Sequence, residues 1–144
     1  MFIVDTAVSS NMASASVINL YFQLLLLVGL TLGLVLAKMK RLVPHGWLML
    51  ALVIMNVASI LVVMIPVAYM LLTRFVATSY SLITVLHALL GVAVILFSVR
   101  ILGNWRFRKP GASCYKLKGE MMRLYILWVA EAVLGLALFY QLYA

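Results

Sequence analysis

The chain has 144 residues, 67% of them apolar and 10% charged, with a mean hydropathy of +1.21. Soluble domains average about 45–50% apolar and about 25% charged residues. A water-soluble globule is therefore excluded, because no core of this size hides such an excess and lipid must solvate much of the surface. The formal net charge is +8, yet the basic residues fall between hydrophobic runs rather than along a polar face interleaved with aromatics, so nucleic acid is not an expected partner. Cys114 is the single cysteine, which leaves no internal disulfide and no CxxC metal or redox motif.

Residues 1–16 carry no Lys or Arg. A cleaved secretory signal needs a positive region before its apolar stretch, so the first hydrophobic run is predicted to be a retained span. A spanning helix needs about 20 mainly apolar residues, and four stretches qualify, at about 17–37, 46–70, 78–100 and 123–143. β-Barrel strands would be about 10 residues long with alternating polarity, and runs such as LLLLVGL and VAVILF do not alternate.

The connection 38–45 leads into the second span through Pro44, which sits where a missing N–H is harmless. Pro66 falls inside the second span and predicts a kink. The connection 101–122 contains the turn pair Pro110-Gly111. The expected fold is all-α: a polytopic four-helix transmembrane bundle forming one domain over residues 1–144.

Orientation follows from charge. Lys38, Lys40 and Arg41 flank the first connection; Arg100, Arg106, Arg108, Lys109, Lys116, Lys118 and Arg123 flank the third. Ten of the eleven basic residues thus lie at one end, with only Arg74 at the other. The positive-inside rule predicts cytoplasmic basic connections and both termini outside. Trp47 and Trp105 near the inner end, and Tyr140 and Tyr143 near the outer end, fit interfacial belts. The reading is an integral protein of a prokaryotic plasma membrane. Lys38, Lys40, Arg41, Arg106, Arg108 and Lys109 serve as topology determinants and as candidate contacts for anionic headgroups or partner subunits.

Functional information in a membrane bundle concentrates at polar residues within the spans, where burial is costly. Gln23 lies fifteen residues before Lys38, Asn56 eleven beyond His45, His87 thirteen before Arg100 and Glu131 eight beyond Arg123. At about 1.5 Å per residue all four fall in one middle band, about 12–22 Å from the basic end. Spacings of four put Gly91 on the face of His87 and Gly135 on that of Glu131, and glycine lets helices approach. A polar cluster of Gln23, Asn56, His87 and Glu131 is expected inside the bundle. Its two readings are interhelical hydrogen bonding, favoured for Gln23 and Asn56, and proton or ligand handling, favoured for Glu131.

His45 and His87 are also the candidate haem or metal ligands. They differ in depth by nearly 20 Å on the same arithmetic, more than two ligating side chains can span, so one haem b between them is not expected. His87 with a methionine such as Met55 or Met64, or His45 with a partner chain, remain as candidate ligations. The chain carries no nucleophile elbow, HExxH, P-loop or dinucleotide fingerprint, and a non-enzymatic role is expected.

The stretches HGWLMLALVI at 45–54, SLITVLHALLGVAVILFSVRIL at 81–102 and MRLYILWVAEAVLGLALFYQLY at 122–143 resemble a family of small four-helix membrane proteins of unknown mechanism that includes the oxidase maturation factor CtaM. The likeness runs from the second span to the end and matches His45 and His87 to family histidines. Further family histidines, near the second turn and before the last helix, have no counterpart here. The resemblance implies a role in the assembly or stability of a haem–copper terminal oxidase or a similar respiratory complex. The competing classes are a haem-b electron carrier and a purely structural small subunit.

Overall fold

The computed structural model describes the backbone of residues 2–74, 79–105 and 112–143, and side chains within 14–69, 82–105 and 117–141. The elements are α1 (Phe2–Lys38), α2 (Leu42–Ser59), a π-helical turn (Ile60–Met64), α3 (Ile65–Arg74), α4 (Ser79–Trp105) and α5 (Ala112–Tyr143). Four helical stretches are long and apolar enough to cross a membrane: Ser14–Lys38, Leu42–Tyr69, Leu82–Trp105 and Leu117–Gln141. The second combines α2, the π turn and most of α3. The chain is an all-α four-helix bundle and an integral membrane protein.

The helices run past the expected span limits. α1 begins at Phe2 rather than near 17, and α5 begins at Ala112, so much of the expected connection 101–122 is helical. Its residues explain the extension. Leu117, Lys118, Glu120, Met121 and Met122 are good helix formers, and Glu120 pairs with Arg100 of α4. Arg106, Arg108 and Lys109 lie outside the described residues, as does the Pro110-Gly111 turn.

The end of α1 is capped by its own backbone. Arg41 N–H donates to the Leu36 carbonyl at 3.0 Å and Lys40 N–H to the Ala37 carbonyl at 3.1 Å, the paired bonds of a Schellman motif. That motif needs a left-handed residue, and Lys40 supplies it with φ of 60°. Glycine takes this conformation freely; a lysine gives up roughly 1–2 kcal/mol to do so. α2 then starts at Leu42 with Pro44 in its first turn, where no helical N–H is lost.

The disturbance expected at Pro66 appears one turn earlier, as the π turn Ile60–Met64. A proline at 66 cannot donate to the carbonyl of Val62 and its ring crowds that carbonyl. Val62 sits at the centre of the widened turn, which relieves the crowding. Such π turns are tolerated as local bulges in otherwise regular helices.

α1 packs along α2, α4 along α5, and contacts of α2 and α3 with α4 and of α5 with α1 close the ring. Its buried apolar residues are Leu26, Leu30, Leu52, Val94, Ile101, Leu124 and Trp128. Most lie toward the basic end. Outward faces such as Tyr21, Leu25, Val28 and Leu32 of α1 are large, apolar and exposed, as a lipid-facing surface requires. Lipid is as apolar as leucine, so helix association rests on close packing and interhelical hydrogen bonds. At the basic end, Trp47 and Trp105 meet edge to face, with centroids 6.3 Å apart at 88°. Gly46 makes this seat: a Cβ there would stand 2.6 Å from the Trp105 ring.

Candidate functional site

Two polar pairs span the bundle toward the end that carries the termini. On one side α1 meets α2. Gln23 Nε2 donates to Ser59 Oγ at 3.0 Å and to Asn56 Oδ1 at 3.4 Å, and the Ser59 hydroxyl donates to Asn19 Oδ1 at 2.6 Å. Asn19 and Gln23 are four apart on α1, Asn56 and Ser59 three apart on α2, so each helix presents both groups on one face. The expected cluster contained Gln23 and Asn56 but neither Asn19 nor Ser59, although Asn19 lies four residues from Gln23 and Ser59 three from Asn56.

On the other side α4 meets α5. His87 Nδ1 donates to the backbone carbonyl of Glu131 at 3.2 Å, and its Nε2 stands 3.6 Å from Glu131 Oε1. The carbonyl can only accept, so Nδ1 holds a hydrogen and Nε2 turns to the carboxyl. The imidazole is thus the polar partner that faces the carboxyl, in ion-pair range at 3.6 Å rather than hydrogen-bonded to it. The Glu131 side chain is only 2% exposed, which in lipid demands such a partner.

Two glycines make the approach. A Cβ on Gly135 would lie 3.0 Å from His87 Cε1, so the histidine ring rests on the bare backbone of α5. A Cβ on Gly91 would lie 3.7 Å from Glu131 Oε1, an ordinary contact. The spacing i to i+4 on each helix thus gives each polar side chain a glycine opposite.

The two pairs face a shared cavity of about 420 Å³. Asn19, Gln23, Thr84, His87 and Glu131 supply its polar wall, while Met64, Ile95 and Phe139 are among its apolar residues. Asn56 stands behind Gln23, buried at 2% exposure. The four sequence-selected residues therefore form two hydrogen-bonded pairs around one space.

His45 belongs elsewhere. It lies at the basic end, where it is 8% exposed and its Nδ1 donates to the Gly33 carbonyl at 2.8 Å. Gly33 permits this because no side chain stands between α1 and the imidazole; a Cβ there would run into Met49. His45 lines a second cavity, of about 660 Å³, at the basic end with Ser98, Trp105, Trp128, Met121 and Lys118. His45 and His87 thus open on different cavities. Of the two methionines singled out as ligands, Met64 lines the cavity of His87, whereas Met55 is exposed on the outer face of α2.

Among the described residues no group of three or more His, Cys, Asp or Glu gathers as a metal site. Each histidine has a methionine in its own cavity: His87 shares the outer one with Met64, and His45 shares the inner one with Met49, Met121 and Met122. In both histidines a backbone carbonyl fixes Nδ1; Nε2 of His87 faces the Glu131 carboxyl.

Compared with protein-family models, with curated proteins and with solved structures, the chain has no match.

Proposed function

We propose that this protein is a non-enzymatic accessory protein of a membrane respiratory complex of the haem–copper terminal oxidase kind, acting in its assembly or stability in a prokaryotic plasma membrane. The observation that supports this reading over a stand-alone electron carrier is the separation of the two histidines into different cavities. A bis-histidine carrier needs both imidazoles at one iron; this chain turns each to its own space. The continuous apolar outer faces suit lateral association with a larger membrane partner. The His87–Glu131 pair is then the working site, offering a partner or its cofactor a buried group that exchanges a proton.

The test is purification in mild detergent from its own membrane. The accessory reading expects co-purification with oxidase subunits, a lower yield of assembled oxidase when the protein is deleted, and rescue by the wild type but not by Glu131→Gln.

One geometric feature favours a second reading, a haem-b electron carrier. His87 and Met64 line the same cavity, and histidine–methionine ligation is an established carrier mode. A Soret band at about one haem per chain, lost in both His87→Ala and Met64→Ala with the fold intact, would replace the accessory reading with the carrier.

A further inference from the structure

The inner cavity has a composition unlike that of the outer one. Lys38 and Lys40 from the end of α1 and Lys118 from the start of α5 line it at the basic end, and among the described residues none that lines it is acidic. Its depth is apolar. It reaches Leu30, eight residues or about 12 Å above Lys38, and extends beside Trp128. Trp105 stands at the level of the lysines. Cationic rim, interfacial tryptophan and apolar shaft together match an amphiphile with an anionic head.

The backbone of Lys40 adds an independent sign. Its left-handed φ of 60° occupies the capping position that glycine fills without cost. A lysine in that position places an ammonium at the cavity mouth, and a glycine would not. Strain of this kind, held by the surrounding turn, marks sites where a side chain is needed.

We propose that the inner cavity is a binding site for an anionic phospholipid, its phosphate held by Lys38, Lys40 and Lys118 and one acyl chain lying in the shaft beside Trp128. Selection resides in the head. An acyl chain gains nothing hydrophobic by leaving the bilayer for an apolar cavity, whereas each lysine near the headgroup plane attracts the anionic lipid specifically. The bound lipid fills the space between the basic ends of α1 and α5, the two helices that contribute the lysines.

The proposal is testable in reconstituted vesicles without any partner complex. Trp47→Phe/Trp105→Phe leaves Trp128, which is 2% exposed, as the sole tryptophan. In phosphatidylcholine vesicles containing a minor fraction of chain-brominated phosphatidylglycerol, Trp128 is expected to be quenched well beyond the mole fraction of quencher. The same fraction of brominated phosphatidylcholine should quench it little. Lys38→Gln/Lys40→Gln/Lys118→Gln should weaken the preference for phosphatidylglycerol by on the order of a hundredfold, and the corresponding arginine triple variant should restore it. Millimolar inorganic phosphate should leave the quenching unchanged. Equal quenching by the two lipids would overturn the site, and so would displacement by inorganic phosphate, which would assign the lysines to a free anion. If the tryptophan variants do not insert, native mass spectrometry of the wild type decides: retained phosphatidylglycerol, absent in the glutamine triple variant, supports the site, and equal retention of both lipids sinks it.

Discussion

The two halves of the bundle are built on different principles. Toward the basic end the interior is mostly hydrocarbon: Leu30, Leu52, Ile101, Leu124 and Trp128 are nearly inaccessible, and the main polar tie is His45 to the Gly33 carbonyl. Toward the termini the interior is polar. Asn19, Gln23, Asn56, Ser59, His87 and Glu131 are bonded across helices, and a cavity remains between the pairs. In lipid the apolar half gains little from burial as such, and its cohesion is dispersion between well-fitted side chains. The polar half is held by a few directional bonds, and each half encloses a cavity, the larger of the two at the basic end. The buried apolar packing is thus concentrated in one half and the side-chain to side-chain hydrogen bonds between helices in the other.

That division is broken most directly by Trp128→Ala. The side chain is 2% exposed and central to the packed half, so its truncation is expected to cost about 3–5 kcal/mol, read as a lower unfolding midpoint of the detergent-solubilised protein. A loss below about 1 kcal/mol would show that the apolar half does not carry the fold.

The polar half should respond less, and unevenly. Gly135→Ala drives a methyl to 3.0 Å from His87 Cε1 and must shift the ring, with an expected cost of about 1 kcal/mol. Gly91→Ala, with 3.7 Å to Glu131 Oε1, should be nearly neutral. Equal effects of the two would contradict the placement of His87 on the α5 backbone. A double-mutant cycle of His87→Ala with Glu131→Gln should give a coupling of about 0.6 kcal/mol, up to about 1.7. Under the proposed role in oxidase assembly, the yield of assembled oxidase should fall far more in these variants than stability does.

How much of this was legible in the sequence divides along the same line. The spans, the pairing of charge with one end and the polar band were readable, because length, composition and a rise of about 1.5 Å per residue determine them. Glu131 and His87 were readable as members of that band, each with a glycine four residues on along its own helix. The division of the band into two pairs was not, since depth says nothing about which helices are neighbours. The burial of His45 was hidden as well. It depends on Gly33, twelve residues away on another helix, and a histidine beside a basic connection reads as exposed until that contact is known. The π turn is a third case: Pro66 signals a break, but the carbonyl it crowds lies four residues earlier, and there the helix widens.

The smallest expected effect lies outside both halves, at the basic end of α4. Arg100 Nη2 stands 3.2 Å from Glu120 Oε1, linking α4 to α5, and the arginine side chain is 65% exposed. The geometry alone suggests a fastening between the two helices with the most extensive mutual packing. Solvent argues otherwise. An exposed pair holds two long side chains in one arrangement, is screened by salt, and contributes roughly 0–1 kcal/mol. Arg100→Gln should therefore lower stability by no more than about 0.5 kcal/mol, and raising the salt concentration should erase what difference there is. The α4–α5 contact is carried instead by Val94, Ile101, Leu124 and Trp128 and, deeper, by the seat of His87 on Gly135. A loss of about 2 kcal/mol or more, persisting at high salt, would show that the ion pair rather than the packed interior holds these helices together, and the contrast between the two halves would no longer describe where the fold gets its strength.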